Sequence, residues 1–307
     1  MPKFQIGKVA QLTGHNASIF ALAPDREAHT YLSGAGDGWI VRWDLTQPQD
    51  GRLVAKVDTQ VFSLLYLPDW DRAVIGDMNG GVHWVDLKEP ENTKDIAHHQ
   101  KGVFAIQRVG ENIFTAGGQG LLTRWSAEAC QSMESLRLSN QSLRCISYAP
   151  KRRELAVGSS DNGIYLLDAE QLSVKHHIPN AHDNSVFTLR YSPDERFLLS
   201  GGRDAHLKAW EIGESAPELV SDQPAHWFTI NSIAFHPSGR WFATGSRDKT
   251  IKIWDAADFK LLQVLETVRD GCHINSVNRL LWHGYENYLV SASDDRSMIV
   301  WDIKEAA

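Results

Sequence analysis

A block of about 43 residues recurs along the whole chain, and it constrains the fold more than any other feature. Its clearest copy is Thr244-Gly245-Ser246-Arg247-Asp248-Lys249-Thr250-Ile251-Lys252-Ile253-Trp254-Asp255, echoed at 200–211, 291–302 and 33–44. Marking each copy by its Trp position gives Trp43, Val85, Trp125, Leu167, Trp210, Trp254 and Trp301, in steps of 42, 40, 42, 43, 44 and 47 residues. A period in this range marks small units that cannot bury an apolar face alone and must stack on their neighbours. Seven such units account for the 307 residues, so the rule of thumb of roughly 150 residues per domain, which would suggest two domains, gives way to a single repeat array.

Two further columns hold the same register. Six residues before the Trp position stand Asp37, Asn79, Gln119, Asp161, Asp204, Asp248 and Asp295, and 28 residues before it stand His15, His182, His226 and His273. The third unit has His99, two residues nearer, because its first turn, Val109-Gly110-Glu111-Asn112, lacks the Pro-containing bend of its neighbours.

Each unit reads as four short strands. In the fifth, Val186 to Tyr191 is closed by Ser192-Pro193-Asp194-Glu195, where Pro presets φ for a type I bend. Arg196 to Ser200 follows, then the turn Gly201-Gly202-Arg203-Asp204, a third strand ending at Trp210 and a more polar outer strand. Even four-stranded units predict an all-β fold, a single seven-bladed β-propeller spanning 1–307 with units ending near 44, 86, 126, 168, 211, 255 and 302. The seventh unit reaches only its third strand at Trp301-Asp302-Ile303-Lys304, so residues 4–12, rich in β-formers, are expected to close it as its outer strand.

The His, the Ser or Thr, the turn Asp and the Trp-Asp ending resemble the WD-repeat β-propeller family over essentially the entire chain. That resemblance implies a hydrogen-bonded relay in which the Trp indole meets the hydroxyl, the hydroxyl meets the His and the His meets the Asp. By position the full sets are His15, Ser33, Asp37 and Trp43; His182, Ser200, Asp204 and Trp210; His226, Thr244, Asp248 and Trp254; and His273, Ser291, Asp295 and Trp301. A complete buried network favours one geometry, because an unpaired Asp or His inside a protein costs several kcal/mol. Units 2 and 4, with Val57 and Ser139 for the His and Val85 and Leu167 for the Trp, are expected to rely on apolar packing and to deform more easily.

Composition narrows the function. With 42% apolar and 22% charged residues the chain has an ordinary globular composition. A net charge of -7 argues against general nucleic-acid or anionic-lipid binding. No apolar run approaches 18 residues and the first residues form no signal-like core, so a cytoplasmic location without membrane contact is expected. Cys130, Cys145 and Cys272 are far apart and in no CxxC pair, which predicts reduced structural thiols and no disulfide or Cys-type zinc site.

No catalytic residue, metal or cofactor is expected. The relay has the members of a hydrolase triad, but it recurs in four units with its hydroxyl tied to an indole. GxSxG, P-loop and HExxH motifs are absent. His98-His99 and His176-His177 lie in inter-strand loops, and adjacent rings seldom converge on one ion without further ligands.

The resemblance also implies where partners bind, at three positions per blade on the top face around the channel. The position after the first-strand Val reads Phe20, Phe62, Phe104, Arg144, Phe187, Asn231 and Asn278, and the position before the turn Asp reads Gly36, Met78, Gly118, Ser160, Arg203, Arg247 and Asp294. Aromatic residues with Arg are the usual composition of binding hot spots. Phe20, Phe62, Met78, Phe104, Arg144, Phe187, Arg203 and Arg247 are therefore the candidate partner-binding residues, joined by Trp227, which follows His226 in a loop toward that face. The expected ligand is a peptide segment of another protein, its apolar side chains on the Phe arc and a carboxylate or phosphate on the Arg group. Other readings have the rings folded inward with the Arg paired to Asp194 or Asp294, or two facing rings clasping an Arg or methyl-lysine. At the level of the whole chain, a non-catalytic scaffold, monomeric within a larger assembly, stands against a propeller enzyme or small-molecule binder using the channel. No amphipathic helix precedes residue 13, and the second residue after each Trp-Asp is Thr46, Ala257 or Lys304 rather than Arg. Both features speak against the G-protein β and ubiquitin-ligase receptor roles of relatives.

Overall fold

A computed structural model of the chain describes residues 4–305. Every repeat unit forms one four-stranded antiparallel sheet, numbered here as its unit, in which strands adjacent in sequence are paired. The described chain divides into two compact halves, residues up to 61 with those from 231, and residues 62–230.

The 62–230 half holds four sheets. Sheet 2 is Val61–Leu67, Arg72–Asp77, Gly81–Asp86 and Lys94–Ala97, and sheet 3 is Val103–Val109, Asn112–Gly117, Leu121–Ser126 and Gln131–Arg137. Sheet 4 is Leu143–Ala149, Glu154–Ser159, Ile164–Asp168 and Ser173–Ile178, and sheet 5 is Val186–Tyr191, Phe197–Gly202, His206–Glu211 and Glu218–Pro224. The other half holds sheet 1, Ile19–Pro24, Thr30–Ala35, Trp39–Asp44 and Arg52–Lys56, and sheet 6, Ile230–Phe235, Trp241–Ser246, Ile251–Asp255 and Leu261–Leu265.

Sheet 7 pairs Val277–Trp282, Leu289–Ser293 and Ser297–Glu305 with an outer strand supplied by Phe4–Thr13, the closure expected from the repeat. That strand contributes Leu12 and Ala10 to the buried interior, and Phe4 meets Trp241 edge-on with ring centroids 4.9 Å apart.

Burial explains the sequence pattern of the strands. Second strands such as Thr30–Ala35, Glu154–Ser159 and Trp241–Ser246 are buried throughout, because both sheet faces are covered. Outer strands such as Gln131–Arg137 are mostly exposed and carry the polar residues. Successive sheets share cores: Cys145, Ile164 and Leu166 of sheet 4 with Val186, Leu198 and Trp210 of sheet 5, and Trp84 of sheet 2 with Ile113 and Trp125 of sheet 3. Each fully buried Leu, Ile or Val in such a core contributes about 1.5–3 kcal/mol. The three cysteines are free thiols, all buried.

Turn chemistry follows the local sequence. In sheet 3, Val109 pairs with Asn112 across Gly110-Glu111, and Gly110 takes φ 59°. Gly120 has φ 81°, and a Cβ there would lie 1.9 Å from the Ser139 carbonyl oxygen, so only glycine permits that approach.

Candidate functional site

The relays of sheets 1, 5 and 7 are complete. In sheet 5 the His182 ring meets Asp204 through Nδ1 at 2.9 Å and Ser200 Oγ through Nε2 at 2.8 Å, while the Trp210 indole N–H donates to the same hydroxyl at 2.9 Å. His15, Ser33, Asp37 and Trp43 repeat this in sheet 1, and His273, Ser291, Asp295 and Trp301 in sheet 7. In sheet 6 the Trp254 indole donates to Thr244 Oγ1 at 2.8 Å, and His226 is buried. The carboxylates of Asp204 and Asp295 resist protonation more than usual; burial works against this, but the hydrogen bond and charge of the facing His outweigh it.

A further relay escaped the sequence pattern. In sheet 3, His99 Nε2 lies 2.8 Å from Thr115 Oγ1, the Trp125 indole donates to that hydroxyl at 2.9 Å, and Gln119 occupies the Asp place 3.1 Å from His99 Nδ1. Gln119 in the Asp column was its signal. An amide brings no charge, so burial, with His98 adjacent, lowers the His99 pKa to about 4.

Units 2 and 4 hold polar networks of their own rather than apolar packing alone. In sheet 2, Asp77 accepts the N–H groups of Asn79 and Gly81, and His83 bridges Asp77 and Asp95. In sheet 4 the Tyr165 hydroxyl donates to Asp161 at 2.7 Å while its ring stacks on His177 at 4.2 Å. Trp84, beside the degenerate Val85, is fully buried but gives its indole N–H no partner among the described residues, so it fills volume without replacing the missing donor.

The column after the first-strand Val has a physical basis in the backbone. The strand register shifts at Phe20, Phe104, Arg144, Phe187 and Asn278, each the extra residue of a bulge in its first strand. A bulge leaves one residue unpaired and re-aims its side chain. Small neighbours make room: a Cβ on Gly118 would sit 3.2 Å from the Phe104 ring, and one on Gly102 would sit 3.1 Å from the Phe62 ring.

In the 62–230 half these side chains form a ladder across four sheets. Phe62 stacks on Phe104 with centroids 5.4 Å apart and planes 22° from parallel. The Arg144 guanidinium lies 4.3 Å from the Phe104 centroid and 5.2 Å from that of Phe187, and its Nε donates to Ser160 Oγ at 3.0 Å. Such cation–π contacts contribute about 0.5–2 kcal/mol each. All three rings and Arg144 are half-buried. Burial, with the Arg203 charge near it, lowers the Arg144 pKa. Arg203 is exposed in the adjacent turn, and neither Arg144 nor Arg203 has a carboxylate within 4.0 Å among the described residues. Met78, 46% exposed, belongs to the same half.

Phe20 and Arg247 lie in the other half, Phe20 half-buried and Arg247 exposed. Trp227 is 86% exposed, a rare state for an indole. Asn231 and Asn278, which share the Phe column, are structural: their amides donate to the carbonyls of Val277 and Ile19 on the next sheet. The pairing of the Arg group with Asp194 or Asp294 does not form. Asp194 takes the Ser192 hydroxyl, and Asp294 takes the Asn278 amide. The chain's own Arg144 lies against both Phe104 and Phe187.

Among the described residues no His, Cys, Asp and Glu group has metal-ligand geometry. The His pairs are engaged locally, His98 with Thr123 and the Trp125 ring, and His177 with Tyr165.

Seven four-stranded sheets, bulged first strands and Trp–hydroxyl–His relays define a repeat-built β-propeller. The chain has the seven-bladed β-propeller fold, and three of its units match the WD-repeat family model. The profile of the family "WD domain, G-beta repeat" matches residues 173–211, 217–255 and 260–302. The crystal structure of the WD40 beta propeller domain of Doa1 superposes with a TM-score of 0.84 at 16% identity, covering 98% of this chain and 97% of that one. Transducin beta-like protein 3 of Rattus norvegicus is 24% identical over 219 residues, 69% of this chain and 23% of that protein. The U5 small nuclear ribonucleoprotein 40 kDa protein of Mus musculus is 22% identical over 222 residues, 67% of this chain and 60% of that protein. In each of these two relatives the chain spans less than two thirds of the length.

Proposed function

We propose that this protein is a non-catalytic interaction scaffold that holds a peptide segment of a partner protein on the top face of its propeller, around the channel. The observation that carries this reading is the Phe62–Phe104–Arg144–Phe187 ladder of half-buried side chains, in which Phe104, Arg144 and Phe187 sit on strand bulges and the Arg144 guanidinium has no carboxylate within 4.0 Å among the described residues. Aromatic and Arg anchors of this kind dominate binding energy at protein interfaces. Met78, Arg203 and Trp227 are proposed further contacts within the same half, and Phe20 and Arg247 are proposed partner contacts of the other half, considered by itself. WD-repeat relatives serve broadly as scaffolds, and one relative named above is by its name part of a ribonucleoprotein.

The relays support a structural rather than catalytic role. A nucleophilic Ser needs a free lone pair directed at substrate, whereas Ser33, Ser200 and Ser291 each accept an indole N–H and contact a His while fully buried. The test is affinity capture from the protein's own host with the intact chain and with Phe62→Ala and Arg203→Ala. Loss of the same partner from both variants, with unchanged thermal unfolding, is the expected outcome; equal capture by both rejects the site.

A further inference from the structure

We infer that a corner of half-buried rings, set between the bends of sheets 1 and 7, binds a guanidinium, the side chain of an Arg on a partner protein. This surface is additional to the ladder and independent of it, since all its residues belong to the half formed by residues up to 61 and from 231. It lies on the bends between first and second strands, at the far end of those strands from the bulges at Phe20 and Asn278.

The bend of sheet 7 fixes two of the rings. Glu286 and Asn287 take φ 51° and 54°, the only successive non-glycine pair at positive φ among the described residues, and the Tyr288 N–H donates to the Tyr285 carbonyl at 3.2 Å. These are the marks of a type I′ hairpin turn, where Gly and Asn are usual and Glu is strained. Tyr285 and Tyr288 bracket the turn, with ring centroids 6.1 Å apart and planes at 72°. His283 holds the entry: its Nε2–H donates to the Thr30 carbonyl of sheet 1 at 3.0 Å, which leaves Nδ1 to accept the Tyr285 N–H at 3.1 Å. Burial lowers the His283 pKa and so favours that neutral ring. His29, on the bend of sheet 1, meets Tyr285 at 6.2 Å and 64°, so three half-buried rings stand steeply inclined in succession.

Carboxylates edge the corner. Asp44 gives Oδ1 to the N–H and hydroxyl of Thr46, while its Oδ2 lies 3.6 Å from His29 Nε2. Glu286 is exposed in the turn itself, between the two tyrosines. The cations of the strands that flank the corner are already paired, Arg42 with Asp25 and Lys304 with Asp302. Neither Asp44 nor Glu286 has a Lys or Arg nitrogen within 4.0 Å among the described residues. Negative π faces and carboxylates attract the same ligand, a cation. A guanidinium suits the corner better than an ammonium, because it is flat, more weakly hydrated and able to stack on a ring while its N–H edge reaches a carboxylate.

The experiment uses the intact chain and three immobilised peptide pools with a central Arg, Lys or citrulline, flanked by randomised uncharged residues. Citrulline keeps the shape of Arg and removes its charge. Retention on the Arg pool about tenfold or more above citrulline, and severalfold above Lys, is expected, and titration with N-acetylarginine amide is expected to shift the ring resonances of Tyr285 and Tyr288. Tyr288→Leu should weaken Arg retention by about 3- to 30-fold, the range of one cation–π contact. Glu286→Gln, on an exposed turn that keeps its fold, should weaken it by about 2- to 5-fold. Equal retention on Arg and citrulline overturns the inference, and equal retention on Arg and Lys overturns the guanidinium as the group recognised. Retention unchanged in both variants overturns the site. Retention lost in Phe62→Ala but kept in Tyr288→Leu assigns the Arg to the ladder and overturns this corner while leaving the scaffold reading in place.

Discussion

Ser200 carries one of the most exposed liabilities of the fold, although it is entirely buried. Asp204 is ionised and can only accept, so His182 donates Nδ1–H to it and leaves Nε2 as an acceptor. The Trp210 indole can only donate, so the Ser200 hydroxyl accepts from Trp210 and donates to His182. Ser200→Ala removes both bonds at once and strands a buried N–H and a buried ring nitrogen. At about 1–3 kcal/mol for each unsatisfied buried group the loss is about 2–6 kcal/mol. Ser200→Thr preserves the hydroxyl, and Thr115 and Thr244 hold this place in sheets 3 and 6, so it should cost less than about 1 kcal/mol. Equilibrium unfolding in guanidinium chloride reads both as a shift of midpoint at constant slope. If the Ser200→Ala midpoint equals that of the unaltered protein, the relay is not an energetic constraint and the argument built on it fails.

Trp84→Phe provides the converse case. It deletes an indole N–H that has no partner, offsetting the small lost volume, whereas Trp210→Phe deletes a satisfied donor; the second should cost about 2 kcal/mol more in the same unfolding assay. His99 is held neutral, with a pKa of about 4 against 6.5 for the unfolded chain. Its contribution to stability is therefore full above pH 6.5 and declines as pH falls toward 4, where the unfolded state binds the extra proton. Gln119→Asp should raise the pKa of His99 and flatten this decline; a His99 resonance titrating near 6.5 in the unaltered protein refutes the reading. Deletion of residues 1–12 removes the outer strand of sheet 7, with Leu12 and Ala10 from the core, and should abolish cooperative unfolding by calorimetry. A truncated chain melting like the intact one would show that the closure is dispensable.

Much of this architecture is legible in particular residues. The steps between Trp positions place all seven sheets, and the His and Asp columns locate the sheet 1, 5 and 7 relays to the atom that each side chain contacts. Sheet 3 shows the limit. Gln119 fails a search for Asp, yet an amide donor satisfies a ring nitrogen as a carboxylate satisfies a ring N–H. Asp77 with His83, and Asp161 with Tyr165, show that a degenerate unit replaces one network by another rather than by apolar contact.

The candidate surface divides along the same line. Local repetition determines which residue follows the first-strand Val, because the bulge recurs with the strand, and so the column of Phe20, Phe104, Arg144, Phe187 and Asn278 can be read without coordinates. What these residues do to one another depends on neighbours on separate sheets, distant in sequence. Only the packing of sheet on sheet decides that Phe62 stacks on Phe104, that Arg144 lies against Phe104 and Phe187, and that Asn278 reaches the Ile19 carbonyl to become a staple. Periodicity encodes hydrogen bonding within a sheet, where partners are fixed by register; contacts between sheets are set by side-chain volume and direction, which no single column records.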